Sequence, residues 1–278
     1  MAFKVTVGQL KCDIGDKEAN LQRIENFVAA AGNQGTDILV LPERIMMGSI
    51  FGDRAKRLAE SIPGEVTDRL GEVASEHSLY LVTGMLERDG DDFYNVSVMH
   101  SPDGEIVGVY RKWHLFDSEK KFVKSGDQPA IFDIEFGRIA LSICYDLVFP
   151  EFIRGLVLNG VDLILNSTNW ITDDRQFKAG WNGEVVSRLA ATRALENGVH
   201  IAMANRTGVI DEDWWSLGHS SICRPSGSFE ARIKDGEGLA SAVLDIESDE
   251  WEQWRKVATY LPDRRPEIYR QLNQERQE

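Results

Sequence analysis

The chain is poor in cysteine, in long apolar runs and in basic clusters, and each shortage closes off a class of protein. Its three cysteines, Cys12, Cys144 and Cys223, are an odd number spread over 278 residues with no Cys-x-x-Cys pair. That spacing speaks against a disulfide framework and against a structural zinc site. No stretch approaches the roughly 18 consecutive apolar residues of a membrane span. The first ten residues alternate like a strand and lack the long apolar segment of a secretory leader. Lysine and arginine number 31 against 45 carboxylates, a formal charge of −14, and no basic run exceeds two residues. Nucleic acid and anionic membrane are bound through basic patches, so neither is an expected partner. The acidity reads as solubility, and a reduced, cytoplasmic setting is the simplest fit.

What is present is a set of apolar runs that end in reactive groups. Arg138–Ile143 has the character of a strand buried on both faces. Cys144 stands at its end, and after the break from Asp146 to Glu151 a helical segment carries Phe152, Leu156 and Val157. A cysteine at a strand-to-helix turn can present its sulfur beside free backbone N–H groups. The plainer reading is a small buried apolar side chain, the common fate of an unpaired cysteine. Asp37–Leu41 is a second such run, stopped by Pro42 and Glu43. Val107–Leu115 is a third, in which Lys112 and His114 share a face by the two-residue period. A carboxylate, an ammonium and a thiol can serve as base, oxyanion stabiliser and nucleophile. Glu43 and Lys112 could equally form a structural ion pair, and His114 or His219 could pair with Cys144 as a Cys–His dyad.

Along the chain, Phe3–Leu10 reads as the first strand. Asp16 caps a helix with Leu21, Ile24, Phe27, Val28 and Ala31 inward and Gly32 after its end. Thr36–Leu41 is a strand, Ile45–Ala55 a loop, and Pro63-Gly64 opens a second helix. Leu79–Leu86, Tyr94–His100 and Glu105–Lys112 are strands joined by tight turns. Helix-strand alternation returns around Cys144, with Val161–Leu165 a strand and Val185–Leu195 a helix, and Val199–Ala204, Leu217–Cys223, Ser228–Ile233 and Leu239–Ile246 finish the sheet. The mixture predicts an α/β layered protein, and with no repeat or linker, one domain over 1–278.

Leu41-Pro42-Glu43, Arg111-Lys112-Trp113-His114-Leu115-Phe116 and Ile143-Cys144-Tyr145-Asp146 with Phe149-Pro150-Glu151 are similar to the motifs of the nitrilase superfamily of carbon–nitrogen hydrolases. The resemblance continues through Leu165–Trp170, Arg193–Asn197, Ala204–Gly208, Gly218–Ser221 and Asp263–Tyr269, in the family's order. Glu119 sits where the family carries a second active-site glutamate. The resemblance implies a four-layer αββα sandwich, commonly paired into a dimer. It implies that Glu43 takes the thiol proton while Cys144 attacks an amide, with Lys112 and the N–H of Tyr145 holding the oxyanion. A thioester follows, and no metal or organic cofactor is needed. Substrate contacts are expected from Tyr145, Leu147, Val148, Asn169 and Trp170.

Three other outcomes stay open: an N-carbamoyl amide hydrolase or nitrilase, a glutamine-fed ammonia-producing module, and an inactive interaction protein on the same scaffold. Cys144-Tyr145-Asp146 matches the amidase-like branches, not the Cys-Trp-Glu of nitrilases. Ser125-Gly126 replaces the more usual Pro-Gly of the Glu119 loop. Branches that act on carboxylate-bearing substrates commonly place an arginine after Cys-x-Asp, where this chain has Leu147 and Val148. A small neutral amide is therefore the expected substrate. The tail over 247–278 carries Trp251, Trp254, Tyr260 and Tyr269, and aromatic tails of this kind mark contacts. A homodimer or higher homo-oligomer is expected, weakened by truncation after Glu247. Sedimentation of the intact chain as a monomer at micromolar concentration would count against it.

Overall fold

Alternating side chains sort the first strands between two cores. The structure, a computed structural model, describes residues 1–248 and 256–272. Trp251 and Trp254 of the expected contact tail lie outside these. On β1 (Ala2–Gln9), β2 (Ile38–Val40) and β3 (Tyr80–Asp89), Val5, Val7, Ile38, Val40 and Val82 share a core with Ile139, Leu141 and Ile164 of a second sheet. Leu39, Leu41, Leu79 and Leu81 pack the other way, with Leu21, Ile24 and Val28 of helix α1 (Lys17–Asn33). Beyond the short α2 (Gly52–Lys56), helix α3 (Glu65–Glu76) adds Leu70 and Ala74 to that same layer. A sheet covered on both faces needs apolar residues at every position, which is why these runs are continuous.

The first sheet is completed by β4 (Asp92–His100), β5 (Ile106–Arg111) and β15 (Gly238–Asp245), in the order β15-β1-β2-β3-β4-β5. The second contains β6 (Ile131–Ile134), β7 (Gly137–Ile143), β8 (Leu163–Thr168), β10 (His200–Asn205), β13 (Ser221–Cys223) and β14 (Phe229–Arg232). Its order is β14-β13-β10-β8-β7-β6, parallel at β7, β8 and β10 and antiparallel at both margins. Helices α4 (Pro150–Leu158) and α6 (Gly183–Asn197) cover it through Phe152, Ile153, Leu156, Val186, Ala190 and Ala194. Helix, sheet, sheet and helix make the expected αββα sandwich. A small sheet of β9 (Ile171–Asp173), β11 (Thr207–Val209) and β12 (Trp214–Leu217) stands apart, next to the short α5 (Asp174–Lys178). Helix α7 (Pro266–Leu272) lies in the tail.

Four expectations are corrected. The strand expected over Leu217–Cys223 is two strands in different sheets, because Gly218 and His219 adopt φ of 66° and 61° between them. The last strands do not finish one sheet: β15 crosses back and pairs antiparallel with β1 from Ala2↔Asp245 to Gln9↔Gly238. Helix α1 runs on through Gly32, whose backbone lies against the His77 side chain, and the left-handed residue is Gly35 at φ 69°. The segment read as a loop over Ile45–Ala55 ends inside α2.

One glycine sets the approach of the Glu43 turn. A Cβ on Gly84 of β3 would stand 2.6 Å from Glu43 Cα and 2.7 Å from Arg44 N and Pro42 O, all backbone or Cα atoms that cannot swing aside. Gly84 O also accepts from Ile45 N at 3.2 Å. Gly84→Ala should therefore lower stability by about 1–3 kcal/mol, as other overpacked sites do. An unchanged urea midpoint would show that the turn has slack at this contact.

Candidate active site

Three strand ends and one turn deliver the site. β2 stops because Pro42 has no N–H to donate, and Glu43 N then donates across to Thr168 O on the second sheet at 3.3 Å. Lys112 follows β5, its N–H donating to Asn95 O at 2.9 Å. Cys144 follows β7 with φ 45°, a left-handed conformation rare for a residue with a Cβ. The chain then makes a 3-10 turn over Cys144–Val148 and enters α4 with Pro150 in its first turn. Glu119 lies in a 3-10 turn, Asp117–Lys121, where its Oε2 accepts from Phe116 N at 3.0 Å.

The side chains meet in a buried ionic cluster. Lys112 Nζ donates to Glu43 Oε1 and to Glu119 Oε2, both at 2.8 Å. Asn95 Nδ2 donates to the same Glu43 Oε1 and to Glu119 Oε1, both at 2.7 Å. Burial alone would push the Lys112 ammonium down, but Glu119 and Glu43 outweigh it and hold the group well above its ordinary range. For Glu119, burial pushes the carboxyl up, and Lys112 and Arg44 overcome it and hold it below its ordinary value. Burial pushes the Cys144 thiol well up, Glu43 adds to the rise, and Lys112 opposes it. These influences disfavour a resting thiolate, so attack by the sulfur calls for a base to take its proton.

Two arginines complete the surroundings. Arg44 is buried, donates to Ile50 O, and stands 5.4 Å and 5.6 Å from the rings of Phe51 and Phe122. Arg206 is buried too; its Nη1 donates to Ser49 Oγ at 3.2 Å while its Nε has no hydrogen-bond partner. Ser49 Oγ also accepts from Asn169 Nδ2 at 3.0 Å, and Asn169 Oδ1 accepts from Ser216 Oγ at 2.7 Å. Among the described residues no group of histidine, cysteine and carboxylate side chains is arranged to hold a metal ion.

The structure brings Glu43 and Glu119 into direct contact with Lys112 and sets Cys144 within electrostatic reach of Glu43 and Lys112. Of the expected substrate contacts, Tyr145 is half-buried between Phe116 and Phe149, each 5.1 Å away between ring centres. Asn169 is half-buried, and Trp170 is buried edge-on to Trp181 with an unpartnered Nε1. Leu147 is different: it is wholly buried in the core with Phe152 and Ile153, a packing position. The Leu147 and Val148 carbonyls accept from Arg193 Nε and Nη2 at 2.7 and 3.0 Å. Of the two histidines offered as partners for Cys144, His114 Nδ1 lies 2.7 Å from Asp146 and His219 Nδ1 lies 3.5 Å from Ser187 Oγ. Asn95 was not foreseen. An asparagine in a strand interior is unusual, and that was the signal to follow.

Known proteins resemble the chain throughout. The family model described as carbon–nitrogen hydrolase matches residues 4–256. A probable nitrilase of Schizosaccharomyces pombe is 32% identical over 281 residues, covering 98% of this chain and 99% of its own. The omega-amidase of Homo sapiens is 31% identical over 281 residues, covering 96% of this chain and 97% of its own. The solved amidase of Nesterenkonia sp. AN1 superposes with a TM-score of 0.83 at 25% identity, covering 97% of this chain and 99% of that one.

The depressed Glu119 carboxyl has a consequence for acid stability. Its contribution is fully present above its ordinary value of 4.5 and is lost as pH falls through the lower folded value. Glu119→Gln should thus flatten the fall in stability below that pH, whatever its cost at neutrality. Urea midpoints measured across the acid range for both proteins would run parallel if Glu119 were not held ionised.

Proposed function

The chain belongs to the carbon–nitrogen hydrolase family, and from that premise we propose that it is an amidase that cleaves a small amide through a thioester on Cys144. The observation that carries this is the meeting of a neutral, buried thiol with a carboxylate and an ammonium already bonded to each other. Glu43 removes the Sγ proton while the sulfur adds to the amide carbon. The oxygen becomes an anion held by Lys112 and the N–H of Tyr145. Collapse expels ammonia or an amine with the proton from Glu43, and leaves the acyl group on sulfur. Glu43 then activates a water that releases the acid and restores the thiol. Glu119 acts through Lys112 and Asn95, fixing the ammonium that meets the oxyanion. No step draws on a metal or an organic cofactor.

The acyl group is read as neutral, because no arginine follows the nucleophile motif. A second reading is favoured by Arg206, whose buried Nε lacks a partner and whose Ser49 contact leads to Asn169. A carboxylate on the substrate would answer that charge, as an omega-amide would supply. We place the enzyme in the cytoplasm, as one catalytic domain in a homodimer. The cleft of about 570 Å³ that Tyr260 and Tyr269 line with Arg154 and Leu195 supports a tail laid against α4 and α6. No helix among the described residues is long and apolar enough to cross a membrane.

Ammonia release from a panel of amides, nitriles and carbamoyl compounds is the deciding experiment. Amides should lead the panel, Cys144→Ala should abolish turnover with the fold intact, and Lys112→Ala should cost about 10²–10³ in rate. A Cys144→Ala protein at wild-type activity would remove the assignment. Within the panel, a neutral aliphatic amide should exceed its ω-carboxylate analogue in kcat/KM. A preference of tenfold or more for the charged member, about 1.4 kcal/mol, would select the Arg206 reading instead.

A further inference from the structure

Asp146 is a wholly buried carboxylate beside the site that no step above uses. Its Oδ2 accepts from Ile143 N at 2.9 Å and from Tyr110 Oη at 2.8 Å. Its Oδ1 accepts from His114 N at 3.2 Å and lies 2.7 Å from His114 Nδ1. Tyr110 Oη in turn accepts from Trp113 N at 3.2 Å. One contact thus ends on the residue before the nucleophile, and the others end on residues that flank Lys112 from both sides. The His114 ring is also stacked on Phe149 at 3.8 Å, beyond the far end of the nucleophile turn.

These contacts span a gap that the backbone leaves open. β5 and β7 belong to different sheets, so no ladder hydrogen bond sets the Lys112 segment against the Cys144 turn. Past Lys112 the chain has no regular structure until Asp117, and past Ile143 it is a left-handed residue and a 3-10 turn. Burying a carboxylate is costly unless its oxygens are fully bonded, and the donors on Asp146 come from both segments. We infer that Asp146 is a positioning residue that sets the two halves of the oxyanion site, the Lys112 ammonium and the Tyr145 N–H, at their working separation. The inference rests on the amidase reading given above. It makes Asp146 important to the transition state, because a donor misplaced by about 1 Å can cost about 10²-fold in rate. Access to the sulfur is a separate matter.

Asp146→Asn keeps the shape but turns an amide N–H₂ toward donors. Its kcat on the best amide of the panel should fall about 10²-fold, with KM within about threefold of wild type. Two probes separate positioning from general damage. The aldehyde with the same acyl group takes the Cys144 sulfur at its carbonyl carbon: a C–S bond forms, the C=O π bond opens to leave its oxygen in the oxyanion site, and the thiol proton passes to Glu43. Its affinity should fall in step with kcat. Methyl methanethiolsulfonate transfers CH₃S to the sulfur and expels methanesulfinate, with no carbonyl to stabilise, so its labelling rate should stay within about threefold. Equal losses with both probes, or an unchanged kcat, would overturn the inference. If Asp146→Asn does not fold, Tyr110→Phe and His114→Phe each cut one tether to the lysine side. Both should show the same divided pattern at smaller size, and wild-type kcat in both would equally overturn it. Failure of the amidase reading is visible separately, as turnover that survives Cys144→Ala.

Discussion

The site depends on one buried ammonium shared by two carboxylates. Lys112 is about as enclosed as any aliphatic core residue, and Glu43 and Glu119 each sit 2.8 Å from it. Such a cluster is a poor device for stability, since desolvating three charges costs several kcal/mol per ion and their attraction barely repays it. Its value is geometric. Two acceptors fix the ammonium in place, and Asn95, bonded to both carboxylates, fixes the acceptors. An oxyanion donor held this way needs no reorganisation when charge develops on the substrate.

The sandwich explains why these groups can meet at all. Glu43 and Lys112 leave strands of the first sheet and Cys144 leaves a strand of the second. Two sheets packed face to face bring those ends together across the core that holds Val40, Val82, Leu141 and Ile164. Local propensity does little at the seam. Positive φ at Arg44 and at Cys144 shows that both reactive turns are held in conformations the residues would not choose alone. The surrounding bonds, Glu43 N to Thr168 O among them, impose them.

Strand ends are what made Glu43, Lys112 and Cys144 legible in the sequence: an apolar run that stops on a charged or nucleophilic residue is a physical signal. Glu119 carried no such signal. In Glu119-Lys120-Lys121 the lysines are exposed as a charged run should be, and only the glutamate turns inward, which composition cannot reveal. Leu147 misled because its neighbours in sequence line the nucleophile turn while it packs into the core. The break at Gly218-His219 was invisible for a related reason. Two residues of left-handed backbone suffice to move a strand from one sheet to another, and periodicity on either side is unaffected.

A thiol pushed upward by burial is at first sight a poor nucleophile. The charge count around it resolves this. Glu43 and Glu119 balance Lys112 and Arg44 around the sulfur, and the buried Arg206 adds one further positive charge beside Arg44. Moving the sulfur proton to Glu43 creates no new net charge in a low-dielectric space. In the proposed mechanism the negative charge passes from a carboxylate toward the carbonyl oxygen, to be met by Lys112 and the Tyr145 N–H. A preformed thiolate would add a third anion to the cluster in the resting state, set against the Glu43 carboxylate. The neutral thiol avoids that cost, and the same carboxylate that takes the proton is placed to return it to the departing amine.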